Sequence, residues 1–484
     1  MSFAALGVSL PFAAAILAGL WGTPAQGARL NAVAGGLVFL VTLCVPFGPG
    51  AGLIHADGLG MLFGVLTGFV SFTTALSNLG FVRLGEAQLS LRRWRVYHAM
   101  CLVLVGATLL GLYADDIGLL WVAVEGATIA ATLGVSLART ASALEAAWKY
   151  FILAGVGIAL ALFGTMLVYL AAQPALGPGL PALSFAALSA HAGRLDGALL
   201  TLAFVFLLFG YGTKAALVPL HGWLPDAYAE GPAPLTTALS GLMLNVALVA
   251  ILRFRHLMQA NAVAGGGALA PGPFLITLGL ASLLLTGFSL PRRRDARRFF
   301  GFSSIEHSGI VAFAFGVGGV MAIFGGLLHL VLHTLVKSAL FQALTRAAAM
   351  RGDASPGQFN FSRLRGLAQS NKYLAWVLAA CIFTLAGLPP SGLFASEFII
   401  ISQTIQRAPW ASLPLGAGLL LCAVAIIRKI GPLLFGAAPA RTQAQPAGGA
   451  AYLAGMHLAL TLGIGFAMPW ALYDLLHGIA AGLQ

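Results

Sequence analysis

The sequence predicts an all-α polytopic membrane protein with about fourteen transmembrane helices. Three observations carry that reading. Of the 484 residues, 59% are hydrophobic and only 8% are charged, whereas a soluble domain carries about 25% charge. Apolar runs recur at close to the roughly 20 residues that one bilayer crossing needs. Those runs lack the apolar–polar alternation of the ~10-residue strands of a membrane barrel. A soluble enzyme, a disordered chain and a nucleic-acid reader are excluded. The net charge of +12 reflects the Lys and Arg that membrane proteins collect in cytoplasmic loops.

In chain order the crossings begin at about 3–20, where no basic segment precedes the apolar run, so it reads as a retained helix rather than a leader. Crossings at about 28–47, 58–80 and 96–113 follow, and a fifth at 116–137 starts on Asp115 and Asp116, residues suited to cap a helix N-terminus. The sixth is 144–172. The stretch 174–193 is too interrupted by Pro and Gly to span. The remaining crossings are 197–221, 232–258, 273–291, 302–325, 326–350, 374–403, 411–436 and 451–472, with no long helix expected after the last.

Orientation follows from the basic residues. Seventeen fall in loops on one side, among them Arg29, Arg83, Arg92, Arg93, Arg95, Arg139, Arg292, Arg294, Arg297, Arg298, Arg346, Lys372 and Arg441. Four fall on the other side: Arg194, Arg253, Arg255 and Arg407. This bias puts the basic loops in the cytoplasm and both termini in the periplasm of a bacterial inner membrane.

The four cysteines sit inside apolar runs and form no C-x-x-C pair, which argues against a disulfide framework or a metal site. No nucleotide-binding or haem-attachment motif is present. No cofactor and no metal are expected, and the chain alone carries no visible redox chemistry.

What stands out is charge within apolar runs. An ionisable side chain at mid-bilayer costs about 2.5–3.5 kcal/mol or more, so such residues are functional candidates. Glu125 lies in the middle of LLWVAVEGATIAATL. Glu145 and Lys149 form an i,i+4 pair at the start of the sixth crossing, as suited to an interfacial ion pair as to function. Lys214 lies in GYGTKAALVPLHGW, where Pro219 frees the carbonyl of Ala215 and breaks the helix. Broken helices at this depth are tolerated where protein or a water-filled cavity satisfies the freed backbone. His329, His333 and Lys337 share one helix stripe about 12 Å long, with the makings of a proton relay. Glu397 follows a second break at Pro389 and Pro390. Two broken helices with two buried charges point to a repeated, transporter-like core. Asp226 and Glu230 read as loop residues after the first break. Glu306 and His307 fall near a helix end, where neither a functional nor a structural reading is favoured.

At KAALVPLHGWLPDAYAEGPAPLTTALSG, HLVLHTLVKSALF and LAGLPPSGLFASEF the chain resembles the antiporter-like subunits of respiratory complex I, Mrp-type antiporters and group 4 hydrogenases. LLWVAVEGATIAATL, EAAWKYFILAGVGIALALFGT and GFSSIEHSGIVAFAFG are most similar to hydrogenase-4 component F. The resemblance spans about residues 55–435. It implies two inverted five-helix repeats, with helices 7 and 12 broken. The organisation becomes N-terminal helices 1–3 in 1–95, a first repeat in 96–258, a second in 259–436 and helix 14 in 437–484.

The resemblance also implies a proton pathway through Glu125, Lys214, His329, His333, Lys337 and Glu397. Many members carry His or Lys in the eighth helix; here only Ser240 and Asn245 are available, so water has to bridge the halves. The usual lysine between the ninth and tenth helices is replaced by Arg297, which does not readily give up its proton. The implied function is a proton-translocating subunit of a redox-driven complex, hydrogenase- or quinone-reductase-like. Its partners would be other membrane subunits, a cytoplasmic redox arm, the lipid bilayer and protons, with Na⁺ as an alternative ion and no nucleic acid. Two other readings stand beside it. One is an Mrp-type cation/proton antiporter subunit or the membrane partner of an inorganic-carbon uptake system. The other is a non-conducting structural anchor.

Overall fold

The computed structural model describes residues 2–85, 89–351, 359–438 and 446–484. Helices α1 (Phe3–Leu20), α2 (Pro24–Cys44), α3 (Gly58–Gly85), α4 (Leu91–Tyr113), α5 (Ile117–Val135) and α6 (Ala141–Leu176) cross in succession. Asp116 caps α5 by accepting from the Leu119 N–H, as its position before the apolar run predicts. A loop with one short helix, α7 (Phe185–Ala190), leads to the first broken crossing, α8 (Gly197–Lys214) and α9 (Trp223–Glu230). The eighth crossing is α10 (Ala233–Ala238), a π-helical turn (Leu239–Met243) and α11 (Leu244–Val263). Then come α12 (Gly272–Ser289), α13 (Ala296–Val317), α14 (Val320–Met350) and the short α15 (Leu367–Ser370). The second broken crossing is α16 (Lys372–Leu385) and α17 (Gly392–Arg407); α18 (Ser412–Ile427), α19 (Ile430–Phe435), α20 (Gly449–Phe466) and α21 (Trp470–Gly482) complete the chain.

Thirteen helices among the described residues are long and apolar enough to cross a membrane. The remaining expected crossing is the one split into α16 and α17, neither half of which reaches that length.

Burial sorts the helices. In Ala233–Val263, Ala296–Val317 and Val320–Met350, 94%, 100% and 89% of the apolar stretch is buried, against 28% in Gly449–Phe466. The central three helices therefore never face lipid, and their polar residues are free to face one another. The outer helices present large apolar side chains, such as Leu413 and Leu420, to the surroundings. Close approach of α12 to α13 depends on glycine: a Cβ on Gly279 would stand 2.6 Å from the Gly309 carbonyl oxygen.

Four expectations need correction. The tenth and eleventh crossings divide at Gly318 and Gly319, seven residues before the expected boundary. Both take positive φ (69° and 79°), conformations that glycine adopts without a Cβ penalty. The fourteenth crossing ends at Phe466, where Pro469 precludes a continuous helix, and α21 follows it. Asp226 and Glu230 lie in α9, not in a loop. Arg253 and Arg255, counted with the outer loops, are buried in α11. Arg253 donates to Asp57 (2.8 Å) and to the Leu112 carbonyl (2.9 Å), and Arg255 to the Leu483 carbonyl (2.6 Å). Each is spent on satisfying helix ends and cannot be read as a loop charge. Arg441 lies outside the described residues.

Candidate functional site

The first half of the site forms where α8 stops. Ala216 takes a positive φ (56°) and Pro219 withholds an N–H, so the helix ends with Lys214 as its last residue. The end is closed from α9: the Trp223 indole donates to the Thr213 carbonyl (2.8 Å) and its ring stacks on Tyr150 at 4.2 Å. The Val218 N–H finds Ser282 of α12 (3.0 Å). Protein groups thus satisfy much of the broken backbone, as membrane depth demands.

Lys214 is fully buried. Its Nζ lies 3.9 Å from Glu125 Oε2 and donates to Thr128 Oγ1 at 2.7 Å. Glu125 and Thr128 are three residues apart on α5, so they share a face. The Thr128 hydroxyl donates to the Val124 carbonyl (2.8 Å), which turns its lone pairs toward the ammonium. The expected pair is therefore assembled, with a hydroxyl that sequence reasoning did not foresee.

The midpoint is the π-helical turn. Ser240 donates to the Thr237 carbonyl (2.9 Å) and Asn245 Nδ2 to the Gly241 carbonyl (2.6 Å). Thr334 Oγ1 of α14 lies 3.1 Å from Asn245 Oδ1 and 2.9 Å from the Leu330 carbonyl, and its one proton serves either. Asn245 thus connects the eighth crossing to the stripe that carries His329, His333 and Lys337. Ser338, one turn beyond Thr334, is buried with no protein partner among the described residues. Buried polar atoms of this kind are where internal water is held.

In the second half Lys337 Nζ donates to the Phe300 carbonyl of α13 (2.8 Å). The histidine stripe does not run along α14 alone. His307 of α13 stands between the other two, with ring centroids 5.1 Å from His329 and 4.8 Å from His333. His307 Nδ1 and His329 Nε2 are 2.9 Å apart, and His329 Nδ1 is 2.9 Å from Ser396 Oγ. Ser396 gives its only proton to the Leu393 carbonyl (2.7 Å), so toward His329 it accepts. Neutral His329 then carries its proton on Nδ1, and His307 must donate to its Nε2. His307 Nε2 is left as a lone pair without a protein partner.

Glu397 offers an oxygen within 4.8 Å of nitrogens on both His307 and His329. Its carboxylate fills the second helix break: a Cβ on Gly387 (φ 63°) would collide with Glu397 Oε2. The Pro389–Pro390 break thus makes the space that the half-buried acid occupies.

Glu145 and Lys149 belong elsewhere. Lys149 pairs with Glu145 (2.6 Å) and Asp226 (3.2 Å), Asp226 with Arg298 (3.1 Å) and Arg298 with Glu230 (2.9 Å). These charges tie α6, α9 and α13 together at the end of the bundle that holds the basic loops. Arg297 donates to the Gly231 carbonyl and Thr236 Oγ1 and covers the Phe359 ring. It buttresses the start of the eighth crossing.

Sequence reasoning weighed His307 and Glu306 evenly between function and structure and kept both out of the expected pathway. The helix start at 302 put both near an end, but α13 begins at Ala296 and both sit mid-helix. Ser396 carried no signal beyond its place before Glu397.

Residues 114–422 match the family described as NADH:quinone oxidoreductase/Mrp antiporter, transmembrane. A protein described as a hydrogenase-4 component F homolog from Methylacidiphilum infernorum is 44% identical over 411 residues, 84% of each chain. Among solved structures, a chain of the archaeal membrane-bound sulfane sulfur reductase superposes with a TM-score of 0.85 at 22% identity, covering 99% of this chain and 97% of its own. A chain of the Mrp complex from Dietzia gives 0.83 at 19% identity, with 99% and 97% covered. With more than half of its length in the family match, and a relative 44% identical over 84% of both chains, this multi-pass membrane protein belongs to the NADH:quinone oxidoreductase/Mrp antiporter transmembrane family.

Proposed function

We propose that the chain translocates protons as an antiporter-like subunit of a redox-driven membrane complex of the hydrogenase-4 or complex I type. The observation that carries this is a succession of exchangeable groups through the core of the bundle. It runs from Glu125 and Lys214 at one helix break, past Asn245 and Thr334, to Lys337, the three imidazoles and Glu397 at the other break. The name of the Methylacidiphilum relative and the multi-subunit complexes that contain the similar folds support a partner assembly of other membrane subunits. A redox arm on the cytoplasmic side would supply the energy. The location is a bacterial inner membrane, with both termini in the periplasm and the basic loops in the cytoplasm.

The mechanism is electrostatic. Glu125 holds Lys214 protonated. A displacement imposed by the neighbouring subunit separates the two, and the ammonium gives its proton to water beside Ser240 and Asn245. That proton reaches Lys337 and the imidazoles, then Glu397. Two unit charges about 4 Å apart interact by roughly 4 kcal/mol at an effective dielectric of 20, and by less where one of them touches solvent. Moving one charge across 100 mV costs about 2.3 kcal/mol. Breaking and remaking one such pair is therefore of the size that one pumped proton requires.

The test is proton transport by the assembled complex in sealed vesicles. Glu125→Gln and Lys214→Met should each slow it by about 100-fold. The double variant should be little slower than either single one, because the residues act as one unit. Wild-type pumping by Lys214→Met would sink the mechanism.

A further inference from the structure

The pathway just described gives the first half a carboxylate–lysine pair but leaves Lys337 of the second half without an assigned acid. Two independent observations supply one. The first lies in the chain itself. Val124-Glu125-Gly126-Ala127-Thr128-Ile129-Ala130-Ala131 on α5 and Ile305-Glu306-His307-Ser308-Gly309-Ile310-Val311-Ala312 on α13 align without a gap. Each has a β-branched residue before the glutamate, isoleucine four residues after it and alanine six after it. In the two-repeat organisation that the resemblance implies, 96–258 and 259–436, α5 and α13 are the second crossings of their halves. Glu306 therefore stands in the second half where Glu125 stands in the first.

The second observation is where Glu306 sits. It is the eleventh of the 22 residues of α13 and 3% exposed. Its Oε2 has no hydrogen-bond partner among the described residues. The titratable groups that act on it are Lys337 of α14, Glu397 of α17 and the Cys422 thiol of α18, while the neighbouring His307 faces His329 and His333. Lys337 is fully buried, yet no carboxylate among the described residues lies within ion-pair distance of it. Its ammonium rests on the Phe300 carbonyl, and the acid in its electrostatic reach is Glu306. An uncompensated buried ammonium is strongly unfavourable. Lys337 thus keeps its proton while Glu306 is ionised and gives it up when Glu306 is protonated.

We propose that Glu306 and Lys337 form a second acid–base switch, with Glu306 in the position of Glu125 and Lys337, on the crossing before the break, in the role of Lys214, through which protons enter the imidazoles on their way to Glu397. Lys337 Nζ releases a proton, relayed by intervening water, to the Glu306 carboxylate, leaving a neutral amine and a carboxylic acid. Glu306 hands that proton on toward the imidazoles and Glu397 and becomes ionised again, ready for the next proton to arrive on Lys337. Each transfer makes one O–H or N–H bond and breaks one, with no change of oxidation state. The proposal rests on the proton-translocation reading above.

The experiment measures proton transport in sealed vesicles holding the whole complex, with assembly checked on native gels. Glu306→Gln should slow transport by about 100-fold. Glu306→Asp, which keeps the carboxylate, should recover much of the rate, as a merely space-filling role would not require. The double variant Glu306→Gln/Lys337→Gln removes both charges, should assemble normally, and should pump no worse than Glu306→Gln. If the single variant assembles poorly and the double variant assembles well, the pairing is supported by that route. Wild-type transport in Glu306→Gln, alongside failure of Lys214→Met, overturns this inference and leaves the proposed function standing. Wild-type transport in both overturns the function on which it rests.

Discussion

Ser396 fixes the direction in which the buried imidazoles present their protons. Its hydroxyl gives its hydrogen to the Leu393 carbonyl, one turn earlier on α17, and so must accept from His329 Nδ1. The order then propagates to His307, whose free Nε2 is the open end of the chain. A proton arriving there can push one out at His329, within reach of Glu397. Ser396→Ala removes the acceptor and leaves His329 free to take either tautomer. We expect transport about 10-fold slower, with the complex assembled, since a lost neutral hydrogen bond is worth about 1 kcal/mol or somewhat more. Ser396→Thr keeps the hydroxyl and should stay near the wild-type rate. Vesicle transport rates for the two variants check this, and an unaffected Ser396→Ala would remove tautomer order from the mechanism.

Breaks and turns within helices decide where those side chains meet, and they were legible to different degrees. Proline announced the two breaks: Pro219 after Lys214, and Pro389 with Pro390 before Glu397, each carry the cause of the break in the residue itself. The glycine pair at 318–319 carried it too, but apolar residues continue on both sides and hid the turn. That error extended α13 at its end, and a start placed at 302 rather than Ala296 pushed Glu306 and His307 to an apparent helix end. The π-helical turn at Leu239–Met243 had no mark in the sequence, because nothing in LSGLM differs from an ordinary helical run. Contacts between helices, such as His307 between His329 and His333, follow from packing and have no spacing to read. Single π-helical turns often accompany functional sites, and here Asn245 uses the Gly241 carbonyl within that turn. Asn245→Leu should dry the link between halves and slow transport by about 10-fold or more, although no titratable group is lost, because water persists only where it has two to four polar partners. Asn245→Lys should be tolerated better than a buried charge usually is, since Thr334 and Ser338 face that point. If Asn245→Leu pumps normally while Lys214→Met does not, protons exchange with one side only and the two halves are not joined there.

At the scale of the whole molecule the two ends of the bundle differ in how they treat charge. At one end Arg253 is turned inward and paired with Asp57, while Arg255 is closed over the chain's last turn through the Leu483 carbonyl. At the other, Arg95 reaches the Gly22 carbonyl, Arg346 the Ala447 and Pro446 carbonyls, and Lys429 the Arg293 carbonyl. Basic side chains there link the loops to one another, and Lys149, Asp226 and Arg298 form an ion-pair chain. Setting aside Arg253 and Arg255 on one side and the equally buried Arg297 on the other leaves Arg194 and Arg407 against sixteen, so the charge asymmetry is larger than the sequence count suggested. Lys and Arg are retained on the cytoplasmic side during insertion. We therefore expect Arg294→Cys, placed in the basic loop before α13, to be unreactive toward an impermeant maleimide applied to intact cells and reactive once the membrane is opened. A cysteine at Arg194, in the loop before α8, should behave in the opposite way. Labelling of Arg294→Cys in intact cells would invert the molecule. The Glu125–Lys214 pair and Glu397 would then exchange their roles as the ends of the path, and protons would have to move in the reverse sense through the same groups.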